Sequence, residues 1–254
     1  MTIGIGTPVA TIEALWAKHT IHLADEPSGQ RSGLVSPPAD SGAYANVGAA
    51  LDSDARAPLR LCAIGDSMVA GCGTPDQRDG LIPAIASGMA EVTGWDVQWQ
   101  AHGKLGATMR RLRYRILPEV LQSGERFDFL LVCAGSNDIM ANRSLSEWRD
   151  DLEAVLVAAQ PIAERIFVLS PGQMQHEPSL GRVLRRVLER EMDAQAAVSN
   201  DVCVKHGAVY INLIHDDVHA SDPGFFSPDH FHPSPVGYGF IAQNVVADIE
   251  PMLR

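Results

Sequence analysis

Five apolar runs recur along the chain from residue 59 onward: LRLCAIG (59–65), WDVQWQAHG (95–103), FDFLLVCAG (127–135), RIFVLSP (165–171) and AVYINL (208–213). Each is short and has the composition of a buried strand. Helical stretches lie between and after them, at about 80–93, 107–121, 145–160, 179–205 and 236–253. In the fourth, Leu180, Val183, Leu184, Val187 and Leu188 keep the i, i+3, i+4, i+7, i+8 spacing of one helix face. Strands alternating with helices predict right-handed crossovers and a mostly parallel sheet covered on both faces. The expected fold class is α/β, a three-layer α/β/α domain over residues 58–254.

Residues 1–57 break this rhythm. TIEALWAKHTIHL sets Ile12, Leu15, Trp16 and His19 at helical spacing, which predicts a short amphipathic helix. ADEPSGQRSGLVSPPADSGAYANVG is rich in Pro, Gly and Ser and predicts a long irregular segment. Three roles are open to this arm: lying over the domain, joining copies into a homo-oligomer, or moving freely. The sequence does not choose.

Composition narrows the function classes. At 254 residues and 46% apolar, the chain has the core of an ordinary globular domain with an appendage. No run reaches 18 apolar residues, so no membrane span is expected. The first residues lack the basic and apolar regions of a signal peptide, and a cytoplasmic protein is expected. A net charge of −11 argues against a nucleic-acid partner. The basic stretch RRLRYR at 110–115 is the exception, and reads as the solvated face of a helix. Cys62, Cys72, Cys133 and Cys203 are widely spaced, without a C-x-x-C pair, and are expected to be reduced core residues.

In open parallel sheets ligands bind beyond the carboxyl ends of the strands. Gly65-Asp66-Ser67 follows the first run, Gly103-Lys104-Leu105-Gly106-Ala107-Thr108 the second, and Gly135-Ser136-Asn137-Asp138 the third. Beyond the fifth lies SPDHFHPSPVGYG at 227–239. On one rim these segments would carry out acyl transfer. Ser67 needs a base to become a nucleophile; His232 is the candidate, with Asp229 three residues earlier to hold its other ring nitrogen. The backbone N–H groups of Ser67 and Gly106 and the amide of Asn137 are the candidate oxyanion donors. Gly106 is expected because a side chain there would obstruct the substrate, while Asp66, Gly65 and Gly71 are expected to brace and tighten the nucleophile turn. Such chemistry calls for no cofactor and no metal. No serine stands in Gly-x-Ser-x-Gly, and there is neither a Walker A sequence nor His-Glu-x-x-His.

Taken in order, Gly65-Asp66-Ser67 with Gly71, Gly103-x-x-Gly106-x-Thr108, Gly135-Ser136-Asn137-Asp138, and Asp229-x-x-His232-Pro233 with Gly237-Tyr238 resemble four sequence blocks of the SGNH hydrolases, also called the GDSL esterase/lipase family. The resemblance covers residues 59–254. It implies a flavodoxin-like sheet of five strands in the order 2-1-3-4-5, with Ser67 as nucleophile, His232 as base, and Gly106 and Asn137 completing the oxyanion hole. It implies a small-molecule ester as substrate. The second block departs from the family in carrying Ala101-His102 where an asparagine is often seen. A short-chain carboxylic ester is expected, with Met140, Met174, Phe225 and Phe226 either lining an acyl pocket or packing in the core. Two rival readings stand beside this one. A metal-dependent hydrolase would use His215, Asp216, Asp217, His219, Asp222, Asp229, His230 and His232. A non-catalytic binding protein would keep the fold and use the rim as a docking site.

Overall fold

The computed structural model describes residues 8–38 and 57–253. Its elements are α1 (Pro8–Thr20), β1 (Ser32–Val35), β2 (Leu59–Gly65), α2 (Leu81–Thr93), β3 (Val97–Gly103), α3 (Met109–Arg111) and α4 (Leu117–Gln122) joined by a π turn, β4 (Phe127–Cys133), α5 (Ser136–Met140), α6 (Leu145–Ala159), β5 (Ala163–Leu169), α7 (Arg182–His206), β6 (Val209–Ile211) and α8 (Pro235–Ile249).

One sheet runs β1-β3-β2-β4-β5-β6, with every pairing parallel except β1 against β3. Without β1 this is the expected order 2-1-3-4-5. The sheet therefore has six strands where five were expected, and the extra one comes from the stretch expected to be irregular. Ser32–Val35 pairs with Gln100–Val97. Four residues with alternating exposed and half-buried side chains give no strand signal of their own; the open edge of β3 supplies the order. The later part of that stretch, residues 39–56, lies outside the described residues.

Side chains alternate across the sheet. Leu61, Ala63, Leu131, Phe167 and Leu169 face α2 and α8, whereas Cys62, Ile64, Leu130, Val132 and Val168 face α4, α6 and α7. Burial on both faces is why these strands read as continuous apolar runs. All four cysteines are buried and free. Two caps fix loops near the strand ends. Ser234 accepts the N–H groups of Val236 and Gly237 ahead of Pro235 at the start of α8. Ser144 and Glu147 form a capping box on α6.

The helix expected near the N-terminus is present, but its apolar stripe faces outward: Ile12 is 66% and Trp16 59% exposed. Ala10, Ala14 and Ala17 form the buried face, and Ala14 and Ala17 share a cluster with Leu184, Leu188 and Met192 of α7. Small side chains let the two helix axes approach closely. The carboxylate of Glu13 then accepts the N–H of Leu184 in the first turn of α7, at 2.6 Å. Periodicity predicted the helix, and close approach selected the opposite face.

Candidate active site

The turn after β2 is built on two constraints. A Cβ on Gly65 would lie 2.3 Å from the carbonyl oxygen of Cys133, so the main chains of β2 and β4 meet there only without a side chain. The Asp66 carboxylate accepts the N–H of Met68 at 3.0 Å, and its main-chain carbonyl accepts that of Ala70. Asp66 is thus the brace expected. Burial pushes its carboxyl up to about 7 against the opposing pull of the Met68 N–H. Ser67 follows, 8% exposed, and its N–H meets no acceptor among the described residues.

The neighbouring rim carries the other candidate donors. Gly106 has φ 74°, and a Cβ there would meet nothing within 4 Å. A left-handed backbone favours glycine here independently of the room a substrate would need. The N–H of Gly106 meets no acceptor among the described residues. Asn137 donates one amide hydrogen to the carbonyl of Ala107 at 3.0 Å, which orients the group and leaves its other hydrogen available. Beside it Asp138, 1% exposed, accepts the N–H of Met109 and pairs with Arg143 at 3.2 Å. Burial pushes its carboxyl up to about 6. The ends of β3 and β4 are tied together through these two residues.

His232 is buried on the loop before α8. Its Nδ1 lies 2.7 Å from Oδ2 of Asp229, and its Nε2 has no partner among the described residues. Asp229 also accepts the hydroxyl of Ser227 and the N–H groups of Phe231 and His232 on Oδ1. Burial alone would raise its carboxyl, but hydrogen bonds from His232, Ala24, Ser227 and Phe231 together hold it far below the usual carboxylate range. A carboxylate fixed on several donors sets both the ring orientation and the tautomer of the histidine.

One of those donors comes from the N-terminal segment. The N–H of Ala24 reaches Oδ2 of Asp229 at 2.9 Å. Two residues later, Glu26 accepts the N–H of Leu105 at 2.9 Å and pairs with Lys104 at 2.8 Å, just before Gly106. Glu26 also pairs with Arg31 at 2.9 Å. Sequence reasoning missed Ala24 and Glu26, because a main-chain donor and a single carboxylate carry no local pattern. It also missed Glu177, a buried carboxyl whose Oε2 has no partner; burial, with Asp229 nearby, raises it well above the usual range.

Two cavities meet at the candidate groups. Ser67, Asn137 and His232 line both, while Asp229 stands behind His232 and Gly106 lies beside Leu105 at the edge of the larger one. The smaller cavity, about 70 Å³, is walled by Met140, Phe225 and Phe226, and Glu177 also lines it. The larger, about 330 Å³, lies between α1 and α7. Met174 lines neither; it is buried in the cluster that joins α1 to α7.

Among the other acidic and histidine side chains of 215–232, His219 lies 4.0 Å from Asp217 and 3.9 Å from Asp222. His215 lies 2.7 Å from Asp193 on α7, His219 packs against Phe240, and His230 is exposed with φ 56°. Among the described residues, no three His, Cys, Asp or Glu side chains form a group that could hold a metal ion. No described helix is long and apolar enough to cross a membrane.

The model of the GDSL-like lipase/acylhydrolase family matches residues 63–240. No curated protein matches the chain. Among solved structures, LAE5, an alpha/beta hydrolase enzyme from the metagenome of Lake Arreo, Spain, superposes with a TM-score of 0.58 at 18% identity, covering 78% of this chain and 97% of that one. A catalytic mutant (H194A) of Axe2, an acetylxylan esterase from Geobacillus stearothermophilus, gives 0.57 at 16%, covering 77% and 96%. The lipase/acylhydrolase from Enterococcus faecalis gives 0.51 at 20%, covering 77% and 97%.

Proposed function

Since this chain belongs to the GDSL-like lipase/acylhydrolase family and is a carboxylic ester hydrolase, we propose that it works through an acyl-enzyme on Ser67. The Ser67 hydroxyl attacks the ester carbonyl while Nε2 of His232 takes its proton. The carbonyl oxygen becomes an oxyanion held by the N–H groups of Ser67 and Gly106 and the free amide hydrogen of Asn137. His232 then gives the proton to the departing alcohol. Water attacks the acyl carbonyl as His232 takes its proton, the bond to Ser67 breaks, and His232 returns the proton to the Ser67 oxygen as the acid leaves. Asp229 keeps the ring oriented and stabilises the imidazolium.

The observation that carries this reading is the partnerless Nε2 of a buried histidine, backed by Asp229 at 2.7 Å and lining the same cavities as Ser67. A buried ring nitrogen without a partner costs free energy unless something arrives to use it. The smaller cavity, about 70 Å³, supports a short group as one half of the ester.

The test is hydrolysis of p-nitrophenyl acetate, butyrate and octanoate by the wild type and by Ser67→Ala, with and without a chelator. Serine-dependent, chelator-insensitive turnover is expected, with a loss of ~10³–10⁶ in kcat for Ser67→Ala. Activity that survives the substitution and disappears with chelator would transfer the chemistry to a metal.

A further inference from the structure

We propose that the larger cavity, between α1 and α7, binds an apolar chain of medium length on one half of the ester, and that the N-terminal helix is therefore part of the specificity site. The inference rests on Ser67 being the nucleophile. The cavity opens on Ser67, Asn137 and His232 at one end. Away from them its walls are Ala17 and Ile21 of the N-terminal segment, Leu145, and Val187 and Leu188 of α7. Its polar edge is made by Arg143, paired with Asp138 and Asp151, by Gln195, whose Nε2 donates to the Gly135 carbonyl and whose Oε1 has no partner among the described residues, and by the exposed Glu191.

The wall formed by α1 is fixed in place. The alanine face packs on α7, and Glu13 is hydrogen-bonded to the main chain of Leu184. Gly181 leaves the room that Glu13 occupies, since a Cβ there would come 2.2 Å from its carboxyl carbon. At about 330 Å³ against about 70 Å³ for the smaller cavity, it is the one with room for the longer half of the ester. The small cavity across Ser67 takes the short half of the same ester. Two isomeric families satisfy this chemistry, a medium-chain acid esterified to a small alcohol and a small acid esterified to a medium-chain alcohol. Residues 8–23, which carry this wall, lie outside the stretch matched by the family model.

The experiment compares ethyl acetate, ethyl octanoate and octyl acetate, with acid release followed at constant pH for the wild type, Ala17→Trp and Val187→Trp. One of the two octyl-length isomers is expected to exceed ethyl acetate in kcat/KM by ~10² or more, given about fourfold per buried methylene. Which isomer gains identifies the half that enters. Each tryptophan is expected to cut that ratio at least tenfold, and the two act from opposite walls, so misplacement of α1 in one does not decide the result. Calorimetric titration of Ser67→Ala with 1-octanol and with octanoate reads the cavity without catalysis. Ser67-dependent acetate turnover with a chain-length ratio near one in both isomers would overturn the cavity inference and leave the esterase reading intact. Absent ester turnover with octanol or octanoate binding that both tryptophans abolish would do the reverse.

Discussion

The rim at the carboxyl ends of β2, β3 and β4 and the N-terminal strap of residues 21–35 reach the same site by different means. The rim is local and buried. Each of its groups sits within a few residues of a strand end, held by glycine turns, an Asx turn at Asp66 and a carboxylate at Asp138. The strap is distant in sequence and half-exposed. It acts through one main-chain N–H at Ala24 and one carboxylate at Glu26, whose partners lie 205 and 79 residues away. Under the proposed mechanism the rim and the Asp229–His232 loop carry the reacting groups, and the strap holds the two loops that carry Asp229 and Gly106. The difference teaches that a family's shared chemistry and a chain's own tuning of it are written in different kinds of contact.

Asp229 is where the two regions meet, so its substitution is the sharpest way to separate them. Asp229→Asn keeps an acceptor for Ala24 while losing the charge that orients His232. A fall of ~10⁴ in kcat for p-nitrophenyl acetate is expected, with KM little changed. A loss under tenfold would make Asp229 an anchor for the strap instead of a partner for the histidine. Asn137→Ala comes next and tests the rim alone: ~10²–10³ in kcat is expected if its free hydrogen meets the oxyanion. A loss below about threefold would remove it from that role.

The unequal legibility of the two regions follows from the same physics. The five parallel strands announced themselves because both their faces are buried, and the turn carrying Ser67 because glycine, acid and hydroxyl follow a strand end in that order. Asp229 and His232 were readable because they are three residues apart on one loop. β1 was not readable, since Ser32–Val35 owes its order to the open edge of β3. The inward face of α1 was hidden as well, because alanines carry little hydrophobic signal and their value lies in close approach to α7. Glu26 and Ala24 are single groups acting across the fold, and no spacing marks them.

The rim also carries a cost that the strap does not, and pH exposes it. Burial raises the Asp66 carboxyl to about 7, above the ~3.9 of an unfolded aspartate. Between those values the unfolded chain has released a proton that the folded chain keeps, so stability falls as pH rises through this window and the penalty is complete above about 7. Asp66→Asn keeps an acceptor for the Met68 N–H and removes the titration. Thermal unfolding at pH 4 and pH 8 is therefore expected to favour the variant over the wild type by ~1–3 kcal/mol more at the higher pH. Equal pH slopes in the two proteins would place the buried proton elsewhere.

The smallest effect is expected from the strap itself, and it decides whether the strap positions the site or only covers it. Glu26 holds the Leu105 N–H and the Lys104 ammonium, and this fixes the turn whose next residue offers the Gly106 N–H. Its ion pairs are half-exposed, which limits each to ~0–1 kcal/mol and makes them sensitive to salt. Glu26→Ala removes both the pairs and the main-chain anchor; about tenfold in kcat is expected, with little change in KM. Glu26→Gln keeps an acceptor for Leu105 and should recover most of that loss. High salt should slow the wild type slightly and leave the glutamine variant unaffected. If instead both variants raise KM and spare kcat, the strap shapes the approach of the substrate and leaves the oxyanion turn to hold itself, and the division of labour between rim and strap would have to be redrawn.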